Sequence, residues 1–139
     1  MDLLTIIFLM GGLFLGWSLG ANDAANVFGT AVGTRMVRFK TAAIVCSLFV
    51  ILGAIISGSG TTETLGKLGS INALPGAFAA CIAAGLSVYI MTKFGLPVST
   101  TQAIVGSILG WNLYTGSSTD IKVLITILST WVLCPIITG

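Results

Sequence analysis

The chain reads as an all-α integral membrane protein, and three observations predict that class. Of its 139 residues, 55% are hydrophobic and only 7% are charged, with a mean hydropathy of +1.08. Soluble domains carry roughly 25% charged residues. Several stretches also reach the roughly 18 to 20 apolar residues that can cross a bilayer as a helix. Finally, the polar residues that interrupt those stretches gather in two short runs, 20–26 and 95–102.

The elements follow in order. Leu3–Leu19 is apolar, and Gly20–Thr34 continues it with small residues and polar interruptions. A helix over 3–34 is about 45 Å long, against a hydrocarbon core of about 30 Å, so it is expected to tilt or to break near Gly20. Residues 41–57 form an uninterrupted second span. Gly58–Asn72, rich in Gly, Ser and Thr and carrying Glu63 and Lys67, is expected as a polar loop. Residues 73–92 form a third span. Residues 95–114 are shorter and studded with Ser and Thr, with Gly95 and Pro97 near the start. Thr115–Thr119 is a turn, and 121–138 is the last span, with a kink expected at Pro135.

Arg35, Arg38 and Lys40 form the one basic cluster, which makes their loop cytoplasmic and places the N-terminus outside. Lys93 is then inside and Lys67 outside. A segment 95–114 that dips in and returns keeps Lys122 inside, whereas a full span puts it outside. The re-entrant helical hairpin leaves only Lys67 outside and is the preferred reading. Glycines recur every fourth residue at Gly12, Gly16 and Gly20, at Gly29 and Gly33, and at Gly106 and Gly110. Such spacing lets membrane helices approach closely.

Composition excludes several classes. A net charge of +2 spread over six Lys and Arg is no nucleic-acid footprint. The chain has no His, the usual neutral-pH proton carrier and metal ligand. Cys46, Cys81 and Cys134 lie far apart in apolar stretches and read as small buried residues. No nucleophile–base pair occurs at a recognisable spacing, so no enzyme is expected. The first apolar run lacks a basic n-region and runs straight into the polar motif, so a signal peptide is not expected there.

Two constellations carry chemistry. Asp23 stands in Gly20-Ala21-Asn22-Asp23-Ala24-Ala25-Asn26, the one carboxylate at membrane depth. A charge there costs about 2.5 kcal/mol or more and marks an ion or substrate site by default. Asn22 and Asn26 share a helical face, and Asp23 meets Asn26 at the i, i+3 offset. One carboxylate and two amide oxygens make a partial shell for a hard cation such as sodium. The structural alternative is that Asn22 or Asp23 caps a helix restarting after Gly20.

The second constellation is Gly95-Leu96-Pro97-Val98-Ser99-Thr100-Thr101-Gln102. Ser99 and Gln102 fit a capping box that opens a helix. A helix N-terminus within the membrane presents free N–H groups and partial positive charge, and the hydroxyls of Ser99, Thr100 and Thr101 add donors. Such a start suits phosphate or sulfate. A carboxylate alone repels an oxyanion, but a carboxylate holding a cation beside a helix start attracts one, which is a route to cation–anion symport.

Gly20 to Asn26, continuing through Val27 to Gly33, resembles the signature of the inorganic phosphate transporter family. Gly95-Leu96-Pro97-Val98-Ser99-Thr100-Thr101, with Ile104-Val105-Gly106, resembles that family's second signature, and Trp131 to Pro135 its Trp-x-x-x-Pro segment. The resemblance runs along essentially the whole chain. It implies sodium- or proton-coupled phosphate uptake into the cell, on two inverted repeats that each carry this motif pair. Residues 1–139 then form the N-terminal repeat, one inverted-repeat half of a secondary transporter with a broken first helix. By that resemblance Asp23 and Asn26 serve the cation and substrate site, and Ser99, Thr100 and Thr101 the phosphate and sodium site. With the amide shell read above, the expected sodium ligands are Asn22, Asp23, Asn26 and Thr100, and the expected phosphate contacts Asn26, Ser99, Thr100, Thr101 and Gln102. No cofactor is expected beyond the coupling ion.

Gln102 stands where the family often has His. It cannot titrate, which favours sodium over a proton. No second copy of either motif occurs, so a partner is expected: the rest of a longer transporter, or a second subunit. Five of six basic residues on one side would disfavour an antiparallel homodimer. Two readings compete, a sulfate or other oxyanion permease and a proton-translocating rotor-ring subunit. A rotor carboxylate needs neither flanking amides nor a Ser/Thr cluster. A purely structural subunit is a third.

Overall fold

The computed structural model describes residues 2–68 and 74–138. Among these it is all-helical, with α1 (Leu3–Gly33), α2 (Phe39–Leu68), α3 (Leu74–Lys93), α4 (Thr100–Thr115) and α5 (Ile121–Thr138). Four stretches are long and apolar enough to cross a membrane: α1, Phe39–Gly60 of α2, α3 and α5. The chain is therefore a multi-pass membrane protein.

The expected break in the first helix is absent. α1 is 31 residues long and runs unbroken through Gly20 and Asn26. Gly20 meets nothing within 4 Å, so no neighbour forces a bend there, and the i→i−4 ladder outlasts the small and polar residues. Neither Asn22 nor Asp23 caps a helix. α1 ends at Gly33; beyond it Arg35 takes the left-handed conformation at φ 61°, and the Val37 N–H closes back onto the Ala31 carbonyl at 3.1 Å.

α1 and α3 run parallel, in step along their length. Phe8 meets Phe78 and Trp17 meets Tyr89, each pair with ring centroids 5.7 Å apart. Small residues meet the partner helix in this seam, Gly11 on α1 against Phe78 and Gly85 on α3 against Phe14. A Cβ on Gly11 would stand 2.7 Å from the Phe78 ring, and one on Gly85 would stand 2.8 Å from Phe14. These two glycines let the aromatic rings lie across the neighbouring backbone. The glycines of the four-residue spacing do not serve this seam, because Gly12, Gly16, Gly20, Gly29, Gly33, Gly106 and Gly110 face open space.

Residues 95–114 are not a helical hairpin. α3 stops at a turn where Gly95 adopts φ 70°, residues 96–99 form a non-helical link with Ser99 extended, and one 16-residue helix follows. α4 returns antiparallel to α3, bringing Trp111 against Gly76, where a Cβ would stand 2.8 Å from the indole. The physical reason lies at its far end. Val105 and Ile108 of α4 bury against Leu68 at the end of α2, flanked by Leu65, Val123, Leu124, Ile127 and Trp131. The Asp120 N–H then meets the Leu68 carbonyl at 3.4 Å. Lys122 therefore shares an end of the molecule with Lys67, while Arg35, Arg38, Lys40 and Lys93 share the other.

The polar stretch after Gly58 is helical as far as Leu68, and the remainder of the expected loop, 69–72, and the expected start of the third span at Ala73 lie outside the described residues. The apolar cluster holds this extension, through Leu65 and Leu68. The Thr62 and Thr64 hydroxyls donate to the Gly58 and Gly60 carbonyls at 2.9 and 3.0 Å. Glu63 and Lys67 pair at 2.6 Å one turn apart. Pro135 lies inside α5, near its C-terminal end.

Candidate functional site

The two polar runs meet where α1, the end of α3 and the start of α4 converge. Asn22 is 3% exposed. Its Nδ2 donates to Asp23 Oδ1 and to the Val98 carbonyl, both at 3.0 Å, and its Oδ1 accepts from the Thr92 hydroxyl at 3.3 Å. The Thr100 hydroxyl donates to Asp23 Oδ2 at 3.5 Å, the long limit of a hydrogen bond. Each carboxylate oxygen thus has one protein donor and keeps lone-pair capacity. Asp23 and Asn26 are exposed on this chain.

Local sequence explains the geometry. Pro97 cannot donate a backbone hydrogen bond and holds the preceding residue extended, which carries Val98 past α1. Ser99 then caps α4: its side chain accepts from the Gln102 N–H at 3.3 Å, as the capping box predicts. The N–H groups of Thr100 and Thr101 lie in the first turn, where a helix offers no acceptor of its own. A cavity of about 180 Å³ opens between α1 and the turn after α3, lined by Asn22, Ala25, Asn26, Thr92, Gly95, Leu96 and Pro97.

The remaining sequence candidates diverge. Thr101 lines a separate cavity of about 310 Å³ with Gly60, Thr64 and Ile127, toward α2 and α5. Gln102 lines the groove between α3 and α4 beside Ser87, Ser107 and Trp111. The hundred-degree step between successive helical residues sends Thr100, Thr101 and Gln102 to three different faces. Two groups were not singled out from sequence. Thr92 is an isolated hydroxyl near the end of an apolar span, and Val98 contributes only a backbone carbonyl. The polar position of Thr92 was the one available signal for it.

Residues 19–139 match the phosphate transporter family. The chain belongs to that family. Relatives in the phosphate transporter family include proteins of Pyrococcus furiosus and Methanocaldococcus jannaschii, both named as phosphate permeases. They are 35% and 39% identical over 98% and 93% of this chain, which covers 35% and 42% of their lengths. The chloroplastic inorganic phosphate transporter 2-1 of Arabidopsis thaliana is 32% identical over 97% of the chain and 25% of its own length. The chain thus spans about a third of the length of such relatives. No solved structure matches it.

Proposed function

We propose that this chain forms part of a permease that moves inorganic phosphate across a membrane together with a cation, sodium in preference to a proton. The observation that carries the reading is the approach of Thr100, at the start of α4, to Asp23. Asp23 would hold the cation with oxygens of Thr100 and Asn26, since hard cations take oxygen ligands. Asn22, whose Nδ2 faces Asp23 and whose Oδ1 accepts from Thr92, would orient the carboxylate instead of ligating. Phosphate would lie against Ser99 and the first-turn N–H groups of Thr100 and Thr101, with Asn26 as a further donor. Each ion then lowers the electrostatic cost of binding the other. Thr101 acts here through its backbone, and Gln102 has no direct part. Sodium is preferred because the His that the family often has is Gln102 here, which leaves no titrating side chain at that position.

The complete site needs partner groups. The length of the named relatives supports a second repeat in the same polypeptide, and a homodimer is the other arrangement. The end carrying Arg35, Arg38, Lys40 and Lys93 would face the cytoplasm of a cell membrane. The test is uptake of labelled phosphate by the full-length transporter in liposomes, under a sodium or a proton gradient, with sulfate as competitor. Sodium-driven uptake that excess sulfate leaves intact is expected. Uptake indifferent to both gradients would sink the symport reading, and faster sulfate uptake would reassign the substrate.

A further inference from the structure

We propose that Thr92 is a positioning residue that acts on Asp23 through the Asn22 carboxamide. Thr92 lies outside both motif runs and does not touch Asp23. Its hydroxyl donates to Asn22 Oδ1 at 3.3 Å, while the two Nδ2 protons of the same side chain go to Asp23 and to Val98. One buried amide thereby joins α1, the last turns of α3 and the non-helical link that leads into α4. The carboxylate and the carbonyl can only accept, so Nδ2 must face them, and Oδ1 is left pointing at α3, where Thr92 supplies the hydrogen bond.

Without that hydroxyl, Oδ1 is a buried acceptor with no partner, which is unfavourable wherever water is excluded. The nearest relief is the 180 Å³ cavity that Asn22 and Thr92 both line. Rotating the carboxamide toward it withdraws Nδ2 from Asp23 and releases Val98 together. The inference rests on the reading of Asp23 as the cation ligand: loss of Thr92 Oγ1 then weakens cation binding without touching a transported ion.

The experiment uses the full-length transporter in liposomes and follows phosphate uptake against sodium concentration, with rates expressed per inserted molecule. Thr92→Val, matched in shape, should raise the half-saturating sodium concentration about tenfold and leave the maximal rate within about twofold, the size expected for one orphaned buried acceptor. Thr92→Ser should restore the wild-type value. In an Asn22→Ala background, Thr92→Val should add nothing. Thr92→Ala supplies the same loss if valine impairs insertion. A Thr92→Val protein with wild-type sodium dependence, or one whose shift survives Asn22→Ala, overturns the inference. A second readout is independent of transport, the carboxyl carbon NMR shift of Asp23, which should move in Thr92→Val and return in Thr92→Ser. If it stays put, the positioning role fails; if it moves while the wild type carries no phosphate, only the transport reading fails.

Discussion

Asp23 and Thr100 lie 77 positions apart in sequence and meet at 3.5 Å, carboxylate oxygen to hydroxyl. Their coupling is measurable. Asp23→Asn should lower sodium-driven phosphate uptake about a hundredfold, to a rate still measurable, because a neutral amide cannot balance a cation at membrane depth. Thr100→Val should lower uptake about tenfold, and combining the two changes should cost no more than Asp23→Asn alone. Additive losses in this double-mutant cycle would mean that the pair does not share a site.

The seam between α1 and α3 should be sensitive to volume. Gly85→Val drives a branched side chain into Phe14 and toward the Leu15 backbone. It should destabilise by about 2 kcal/mol, as overpacked cores do, and lower the melting temperature in detergent. Gly66→Ala, on the exposed end of α2 with nothing within 4 Å, should stabilise by about 0.5 kcal/mol or more through helix propensity.

α4 runs from the Lys93 end of the molecule to the end shared by Lys67 and Lys122, and that course has a labelling signature. In a background with Cys46, Cys81 and Cys134 replaced, cysteines at Lys67 and Lys122 should react with an impermeant thiol reagent from the same face of the membrane. Those at Arg38 and Lys93 should react from the opposite face. A cysteine at Lys122 labelled together with Arg38 would restore the re-entrant hairpin.

The Glu63–Lys67 pair predicts a pH response of known sign. The hydrogen bond from Lys67, and then its charge, hold the Glu63 carboxyl below the ordinary glutamate range. A lowered folded-state value means that the pair's contribution is fully present above the ordinary glutamate pKa. It is lost as pH falls through the lowered value. Because both side chains are well exposed, Glu63→Gln should leave stability and transport at neutral pH unchanged. Lys67→Met should shift the Glu63 titration, followed by NMR, upward.

The spans, the Ser99 cap and the pairing of two polar runs were legible in the sequence because each has a local cause: apolar length, a capping box, and a charge in a poor solvent for it. The continuity of α1 was not, because whether Gly20 breaks a helix depends on neighbours that sequence does not name. The course of 95–114 was misread from charge bias alone. One lysine, Lys122, weighed less than the burial of Val105 and Ile108 beneath Leu68. The helical extension to Leu68 was hidden because Gly58, Gly60 and Gly66 suggest a loop, while the leucines that anchor it find their partners on α4 and α5. Thr101 and Gln102 were grouped with Thr100 by adjacency, although neighbours on a helix face different ways. Thr92 had no motif to mark it, and its role depends on an amide 70 positions away.

The uninterrupted course of α1 has a mechanical consequence. Asp23 is mounted on a rod whose every turn is braced by its own backbone, so the backbone beneath the carboxylate does not move independently of the 31-residue helix. Its counterpart Thr100 hangs from a short strap, 96–99, that carries no helical ladder and starts at the left-handed Gly95. Any cycle that parts the two must spend its displacement in the strap, with the rod as the fixed datum against which it is measured.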